Sequence, residues 1–192
     1  IMGLQEVKHM EIDTQRVIEL VKSVRPLFMD HERASRITVK GAADFVTQVD
    51  FQVQERMRSG LFDMYPQVQF MGEEKDIDFS GAVWILDPVD GTTNLIHDFR
   101  CSALSLALCD RGQLELGIIY QPYRDELFLA QRGRGAFLNG SPIHVSSVSD
   151  LGQSLISIGT SPYNHDLADR NFEDIKRVFL KCSDIRRTGS AA

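Results

Sequence analysis

The sequence predicts a mixed α/β protein, and three observations predict it. Apolar residues recur at helical spacing through most of the stretch before Pro66, three strand-like runs separated by turn residues lie between Ala103 and Ala130, and a strand–helix–strand pattern begins after Ser146. The chain has 192 residues, 43% of them hydrophobic, enough for a substantial core. The change of texture divides it into an N-terminal unit over residues 1–145 and the start of a smaller α/β unit over 146–192.

Each element has a local reason. Leu4, Val7, Met10, Val17, Ile18, Val21, Val24 and Phe28 predict an amphipathic N-terminal helix that Pro26 ends or kinks. A polar stretch to Lys40 and a short connection over Gly41 to Asp50 follow, the latter presenting Asp44 and Asp50. Val53, Met57 and Leu61 repeat every four residues, so a second helix is expected, with Asp50 as its N-cap and Pro66 closing it. Val68 and Phe70 alternate with glutamines into Gly72-Glu73-Glu74, a short strand ending in acids. Ala103 to Cys109, Leu114 to Tyr120 and Glu126 to Ala130 form an antiparallel meander, with Leu104, Leu106 and Leu108 on one face. Gly133 to Gly140 superficially suggests a nucleotide-binding glycine loop. The third glycine is misplaced and no helix follows, so hairpin turns are expected, with Asn139-Gly140 a strong turn signal. Beyond Ser146 come a strand over Leu155 to Ile158, a helix over Asp166 to Lys181 carrying Phe172, Ile175 and Val178 or Phe179, and a short strand at Ile185.

Composition excludes several classes of function. No apolar run approaches the roughly 18 residues of a membrane span, and Glu6, Lys8, Glu11 and Asp13 break any signal-peptide pattern. Cys101, Cys109 and Cys182 are odd in number and lack Cys-x-x-Cys spacing, which argues for reduced thiols in a cytoplasmic protein. A net charge of -6 argues against nucleic acid as the main ligand, whereas phosphate remains accessible if metal ions supply positive charge.

The chemistry concentrates between Trp84 and His97. The run Val83 to Leu86 predicts a buried strand that stops at Asp87-Pro88-Val89-Asp90-Gly91, where Pro and Gly oppose a continued ladder. Two carboxylates three residues apart at a strand end, with no basic residue between Gly81 and Ile96, call for a cation, and oxygen donors suit a hard divalent one. Asp44, Asp50, Glu73, Asp87 and Asp90 all fall at or beside predicted element ends. Singly each reads as a cap or a loop acid; together they would not stay ionised without cations, and magnesium or manganese fits them. Bound magnesium generates a nucleophile from water and neutralises phosphoryl charge, so phosphate ester hydrolysis is the natural chemistry, with Thr92 placed to orient the water if an acid such as Asp50 accepts its proton.

The segment Trp84-Ile85-Leu86-Asp87-Pro88-Val89-Asp90-Gly91-Thr92-Thr93-Asn94 resembles the metal-binding signature of the inositol monophosphatase family, within the lithium-sensitive, magnesium-dependent sugar phosphatases. Asp44-Phe45-Val46-Thr47 with Asp50, Gly72-Glu73-Glu74, Gly133 to Gly140, and Arg187 to Ala192 resemble further family elements in the same order. The resemblance implies a layered α/β sandwich like that of fructose-1,6-bisphosphatase, with paired helices on a large antiparallel sheet. It also implies roles. Glu73, Asp87, the Val89 carbonyl and Asp90 would ligate metal, with Glu73 also positioning the water and Asp90 touching a sugar hydroxyl. Asp50 with Thr92 would activate the water. Gly91 and Thr92 would hold phosphate, Gly189, Ser190 and Ala191 would line the substrate side, and Lys40 and Asp44 would be charges behind the ligands. The substrate implied is a small sugar or polyol phosphate, foremost myo-inositol monophosphate, and the assembly a homodimer with no membrane partner.

Two departures qualify the match. Leu95 replaces an aromatic residue, which predicts a packing change only. The family's further Trp-Asp metal element is not within these residues; because the chain stops inside an apparent helix start, the expectation is a longer protein that supplies it beyond Ala192. Fructose-1,6-bisphosphatase and nucleotide 3'-phosphatase activities compete within the fold, Asp-Gly-Thr-Thr-Asn favouring the inositol branch. A non-catalytic anion-binding or scaffolding protein is the alternative of another class, and a purely structural α/β protein must explain the acids as coincidences.

Overall fold

The computed structural model describes residues 11–41, 44–72, 79–162, 164–189 and 192. Helix α1 (Thr14–Lys22) starts where the Asp13 carboxylate accepts the Arg16 N–H at 3.2 Å. Leu4, Val7 and Met10, expected on this helix, lie outside the described residues. The helix is broken at Ser23 and Val24 and resumes as α2 (Arg25–Phe28), with Pro26 in the first turn, where a missing N–H costs nothing. The stretch expected to be irregular up to Asp50 is instead mostly structured. It holds α3 (His31–Ala34), capped by Asp30, and an antiparallel pair, β1 (Ile37–Gly41) and β2 (Asp44–Thr47). Ile37 and Thr38 are exposed there and the strands are only five and four residues long, so the alternation of Ile37-Thr38-Val39-Lys40 is too short to stand out from the polar stretch before it.

Helix α4 (Gln48–Met64) buries Val53, Met57 and Leu61 completely or nearly so, as their spacing predicted. Gly60 lets it approach α1 closely: a Cβ there would lie 2.5 Å from Leu20 Cδ1. Among the described residues the helices lie on a seven-stranded sheet whose order follows the chain: β3 (Gln69–Met71), β4 (Ala82–Asp90), β5 (Ala103–Asp110), β6 (Gln113–Gln121), β7 (Glu126–Gln131), β8 (Gly135–Leu138) and β9 (Ser141–Ile143). The pair β3–β4 is parallel and every later pair antiparallel, so the sheet is mixed where an antiparallel one was expected. Asn139 and Gly140, both at positive φ (47° and 82°), make the two-residue turn between β8 and β9. The sheet face toward the helices carries Trp84, Leu86, Leu104, Leu106, Leu108, Leu116, Ile118 and Tyr120, and these close the core with Val17, Val21, Phe28 and Met57. Leu95 is buried in the same core, so the aliphatic side chain fills its place by packing.

After Ile143, β10 (Leu155–Ser157) and β11 (Asp184–Arg186) pair in parallel through the crossover helix α6 (Ala168–Phe179). The helix is shorter than the expected Asp166 to Lys181, because His165–Leu167 form a 3-10 turn before it. Ile175 and Val178 are half-buried, whereas Phe172 and Phe179, expected on the same apolar face, are exposed. Among the described residues the sheet beneath α6 is two strands wide, less than the apolar arc of the helix. No helix among them is long and apolar enough to cross a membrane.

Leu106 is 1% exposed at the centre of the main core. Leu106→Ala should therefore cost about 2–5 kcal/mol of unfolding free energy, read as a lower urea midpoint. A second expectation concerns pH. The Tyr120 hydroxyl donates to Asp125 Oδ1 at 2.7 Å, and with Lys22 it holds the Asp125 carboxyl below its ordinary range, while burial beside that carboxylate pushes the phenol up. A carboxyl depressed on folding contributes stability that is present above its unfolded pKa and lost as pH falls through its folded pKa. Asp125 is 47% exposed, so solvent keeps that contribution small. Tyr120→Phe should cost about 0.5–1.5 kcal/mol near neutral pH, and the difference from the parent should shrink below the carboxylate range in unfolding series run at stepped pH.

Candidate active site

Strand β4 does not stop at Asp87. It runs on to Asp90, with Asp87 opposite Ser105 and Asp90 opposite Ala103, so that Pro88 and Val89 together face the single residue Leu104. This is a β-bulge, and it reconciles proline with a sheet interior because the bulged position is not asked for a ladder hydrogen bond. Pro88 and Val89 are buried, while Asp87 is exposed and Asp90 half-exposed. The Val89 N–H donates to Asp87 Oδ1 at 3.2 Å, which fixes the first carboxylate on its own turn. Gly91 follows at φ +82°, a left-handed conformation that a Cβ would strain, and turns the chain into the short helix α5 (Thr92–Ile96).

Asp50 is not the N-cap of α4. Thr47 is, and Asp50 is the third residue of the helix, where its side chain reaches back to the cap. Asp50 Oδ2 accepts from the Thr47 N–H at 2.8 Å and from Thr47 Oγ1 at 2.6 Å, while Thr47 Oγ1 accepts from the Val49 N–H at 3.1 Å. The other carboxylate oxygen, Oδ1, lies 3.3 Å from Thr92 Oγ1, which is also 3.0 Å from the Val89 carbonyl. The Thr92 hydroxyl thus sits between an acid from α4 and the bulge of β4. Asp50 is only 5% exposed. Burial pushes its carboxyl up from the ordinary value, and the hydrogen bonds from Thr47 and Thr92 pull it part of the way back.

These groups open on one cavity of about 320 Å³, walled by Asp50, Asp87, Asp90, Gly91 and Thr92 on one side and by Pro162, Arg187 and Gly189 on the other. The Ala192 N–H donates to Asp90 Oδ2 at 2.5 Å, so the last described residue also reaches this wall. Of the residues the sequence singled out, Asp50, Asp87, Val89, Asp90, Gly91, Thr92 and Gly189 are brought together. Glu73, Ser190 and Ala191 lie outside the described residues. Lys40 is on β1 and Asp44 on β2, with their side chains likewise outside the description.

Among the described residues no three His, Cys, Asp or Glu side chains assemble to hold a metal. The donors that do line the cavity are carboxylates, with the buried residue Val89 beside them. An all-oxygen set of this kind fits a hard divalent cation and not a soft one. Two residues escaped the sequence reading as individuals. Arg187 appeared only inside a motif; it is a basic side chain on the cavity wall, its Nη2 donating to Thr160 Oγ1 at 3.2 Å. Asn94 is 7% exposed and its Nδ2 donates to the carbonyls of Cys101 at 2.6 Å and Thr188 at 2.8 Å. It follows Thr92 and Thr93 in a polar run and its Thr188 partner is 94 residues away, so nothing local marks it out.

Known structures share this architecture. The extragenic suppressor protein suhB of Bartonella henselae superposes with a TM-score of 0.84 at 30% identity, over 93% of this chain and 71% of that one. An IMPase of Thermotoga maritima gives 0.82 at 30% identity, over 93% and 69%. The class these define is that of phosphoric monoester hydrolases built as an α/β sandwich. The chain belongs to the inositol monophosphatase family, whose sequence profile matches residues 4–192. An inositol monophosphatase of Dictyostelium discoideum is 37% identical over 93% of this chain, and a Nus factor SuhB of Vibrio cholerae 39% identical over 84%. The chain spans 69% and 62% of the length of these two relatives.

Thr47→Val removes one donor to Asp50 and the acceptor of the Val49 N–H. It should cost about 1 kcal/mol and raise the Asp50 pKa further, which a carboxyl carbon NMR titration would read. The sign follows from linkage. A carboxyl raised on folding favours the folded state at acid pH, and that advantage declines as pH rises from the unfolded to the folded pKa. In Thr47→Val the decline should be larger and reach to higher pH.

Proposed function

We propose that this chain carries the metal-holding and phosphate-holding part of a magnesium-dependent phosphatase that cleaves a small polyol phosphate, foremost myo-inositol monophosphate, to the alcohol and inorganic phosphate. The observation that carries the reading is the Thr92 hydroxyl, set between Asp50 Oδ1 and the Val89 carbonyl on the wall that Asp87 and Asp90 share. The capping box with Thr47 occupies Asp50 Oδ2 and leaves Oδ1 to the Thr92 hydroxyl, an arrangement that suits a proton relay.

In this reading Asp87, the Val89 carbonyl and Asp90, with Glu73, hold magnesium, for which manganese can substitute. The ion, when bound, acidifies water and neutralises phosphoryl charge. Thr92 orients the attacking water and passes its proton to Asp50, whose raised pKa suits an acceptor. The water oxygen attacks phosphorus in line, the bond from phosphorus to the sugar oxygen breaks, the departing alkoxide takes a proton from solvent water, and Asp50 returns its own proton to the hydroxide left there. The N–H groups of Gly91 and Thr92, at a helix start where no intrahelical acceptor exists, hold the phosphate oxygens. Asp90, Gly189, Ser190 and Ala191 line the sugar side, with Lys40 and Asp44 setting charge behind the acids. The three cysteines, all unpaired, favour a reducing, cytoplasmic setting, and the family resemblance favours a homodimer.

The test is phosphate release from inositol 1-phosphate by the full-length protein. Release should require magnesium and be inhibited by lithium, and Glu73→Gln or Asp90→Asn should lower kcat/KM by about a hundredfold or more. No magnesium-dependent release from any small phosphate monoester would overturn the enzyme reading, and release indifferent to Glu73→Gln would overturn the assignment of the site.

A further inference from the structure

Two turns meet the cavity, one at Gly91 and Thr92, the other at Gly189 beside Thr188, and they come from segments distant in the sequence. The first rests on Ser102, and the second is held by Asn94, which is itself anchored at Cys101 beside Ser102 at the entrance to β5. The buried Ser102 hydroxyl donates to the Gly91 carbonyl at 2.9 Å, and the Cys101 carbonyl accepts from Asn94 Nδ2 at 2.6 Å. The same nitrogen donates its other hydrogen to the Thr188 carbonyl at 2.8 Å. The carboxamide also packs under the next residue: a Cβ on Gly189 would lie 3.0 Å from Asn94 Oδ1 and 2.7 Å from Arg187 Nη1. With φ at +84°, Gly189 holds a backbone conformation that a side chain would strain.

We infer that Asn94 is a positioning residue that sets the spacing between the phosphate-side turn and the substrate-side turn. The inference rests on the phosphatase reading above and adds a residue to which that reading gave no part. The chemistry of the clamp is specific. Both partners are backbone carbonyls, so the position needs two donors on one atom, which among residues of this size asparagine alone supplies. Aspartate has the same shape and offers only acceptors, so it would repel both carbonyls. The substrate's alcohol portion lies between the turns, and a small error in their separation weakens its binding more than it alters the reacting atoms around Asp50 and Thr92.

The experiment compares the full-length parent with Asn94→Asp and Asn94→Ala. Both variants should raise KM for inositol 1-phosphate about tenfold, with a smaller fall in kcat, and should speed hydrogen exchange of peptides spanning Thr188 and Gly189 while α4 keeps its protection. Unchanged KM and unchanged exchange would overturn the inference, as would a lowered melting temperature with KM intact, which a merely structural asparagine would give. Should Asn94→Asp not fold, Asn94→Ala decides alone. A parent that hydrolyses no phosphate monoester would refute the phosphatase reading, and the exchange comparison would still judge the clamp.

Discussion

Two residues of β4 occupy the space of one, and the candidate site follows from that bulge. Without it, Asp87 and Asp90 would point to opposite faces of the sheet, since they are an odd number of positions apart. With Pro88 and Val89 sharing the place opposite Leu104, both carboxylates reach the same cavity and the Val89 carbonyl turns toward Thr92. The bulge is itself held by ordinary forces. Trp84 and Leu86 anchor the strand before it in the main core, Pro88 and Val89 are buried within it, and Leu95 pins the helix after it.

The other half of the arrangement is energetically unfavourable by itself. Asp50 is a buried acid whose desolvation opposes its charge, and the fold meets that cost with three donors from two elements. Two of them come from a helix cap that would be present in any case, so the acid is accommodated with little dedicated structure. The third, Thr92, makes the ionisation of Asp50 depend on the bulge of β4. Helix α4 and strand β4 are therefore joined by a chargeable contact as well as by packing, and a change in one element's position alters the chemistry of the other.

Much of this was legible in the sequence, and what was not has physical causes. Leu104, Leu106 and Leu108, and Val53, Met57 and Leu61, announced their faces because one side of each element is buried and periodicity records burial. The β1–β2 hairpin escaped because its strands are only five and four residues long, and so short an alternation does not stand out from the polar stretch before it. The sequence pattern ends strand β4 too early because Pro88 usually forbids a ladder, and bulges are the exception that a one-dimensional pattern does not display. Asp50 was correctly placed near the helix start but given the wrong post; a reciprocal cap needs both Thr47 and Asp50 to be considered together. Of the cavity wall, Asp87, Asp90 and Thr92 were visible as a motif. Asn94 and Arg187 act through partners 94 and 27 residues away, and separations of that kind leave no local trace.

The order of the large sheet bears on how the protein reaches this state. From β4 to β9 every strand pairs with its neighbour in the sequence, through connections of a few residues except for the α5 segment. Such a sheet can assemble as successive hairpins, each closing a short loop at small entropic expense. Strand β4 is the exception, because its other edge receives β3 in parallel and its face receives α1 and α4 from earlier in the chain. The meander can thus form first and locally, while the bulge and the acids of the candidate site take their geometry only when the N-terminal helices dock.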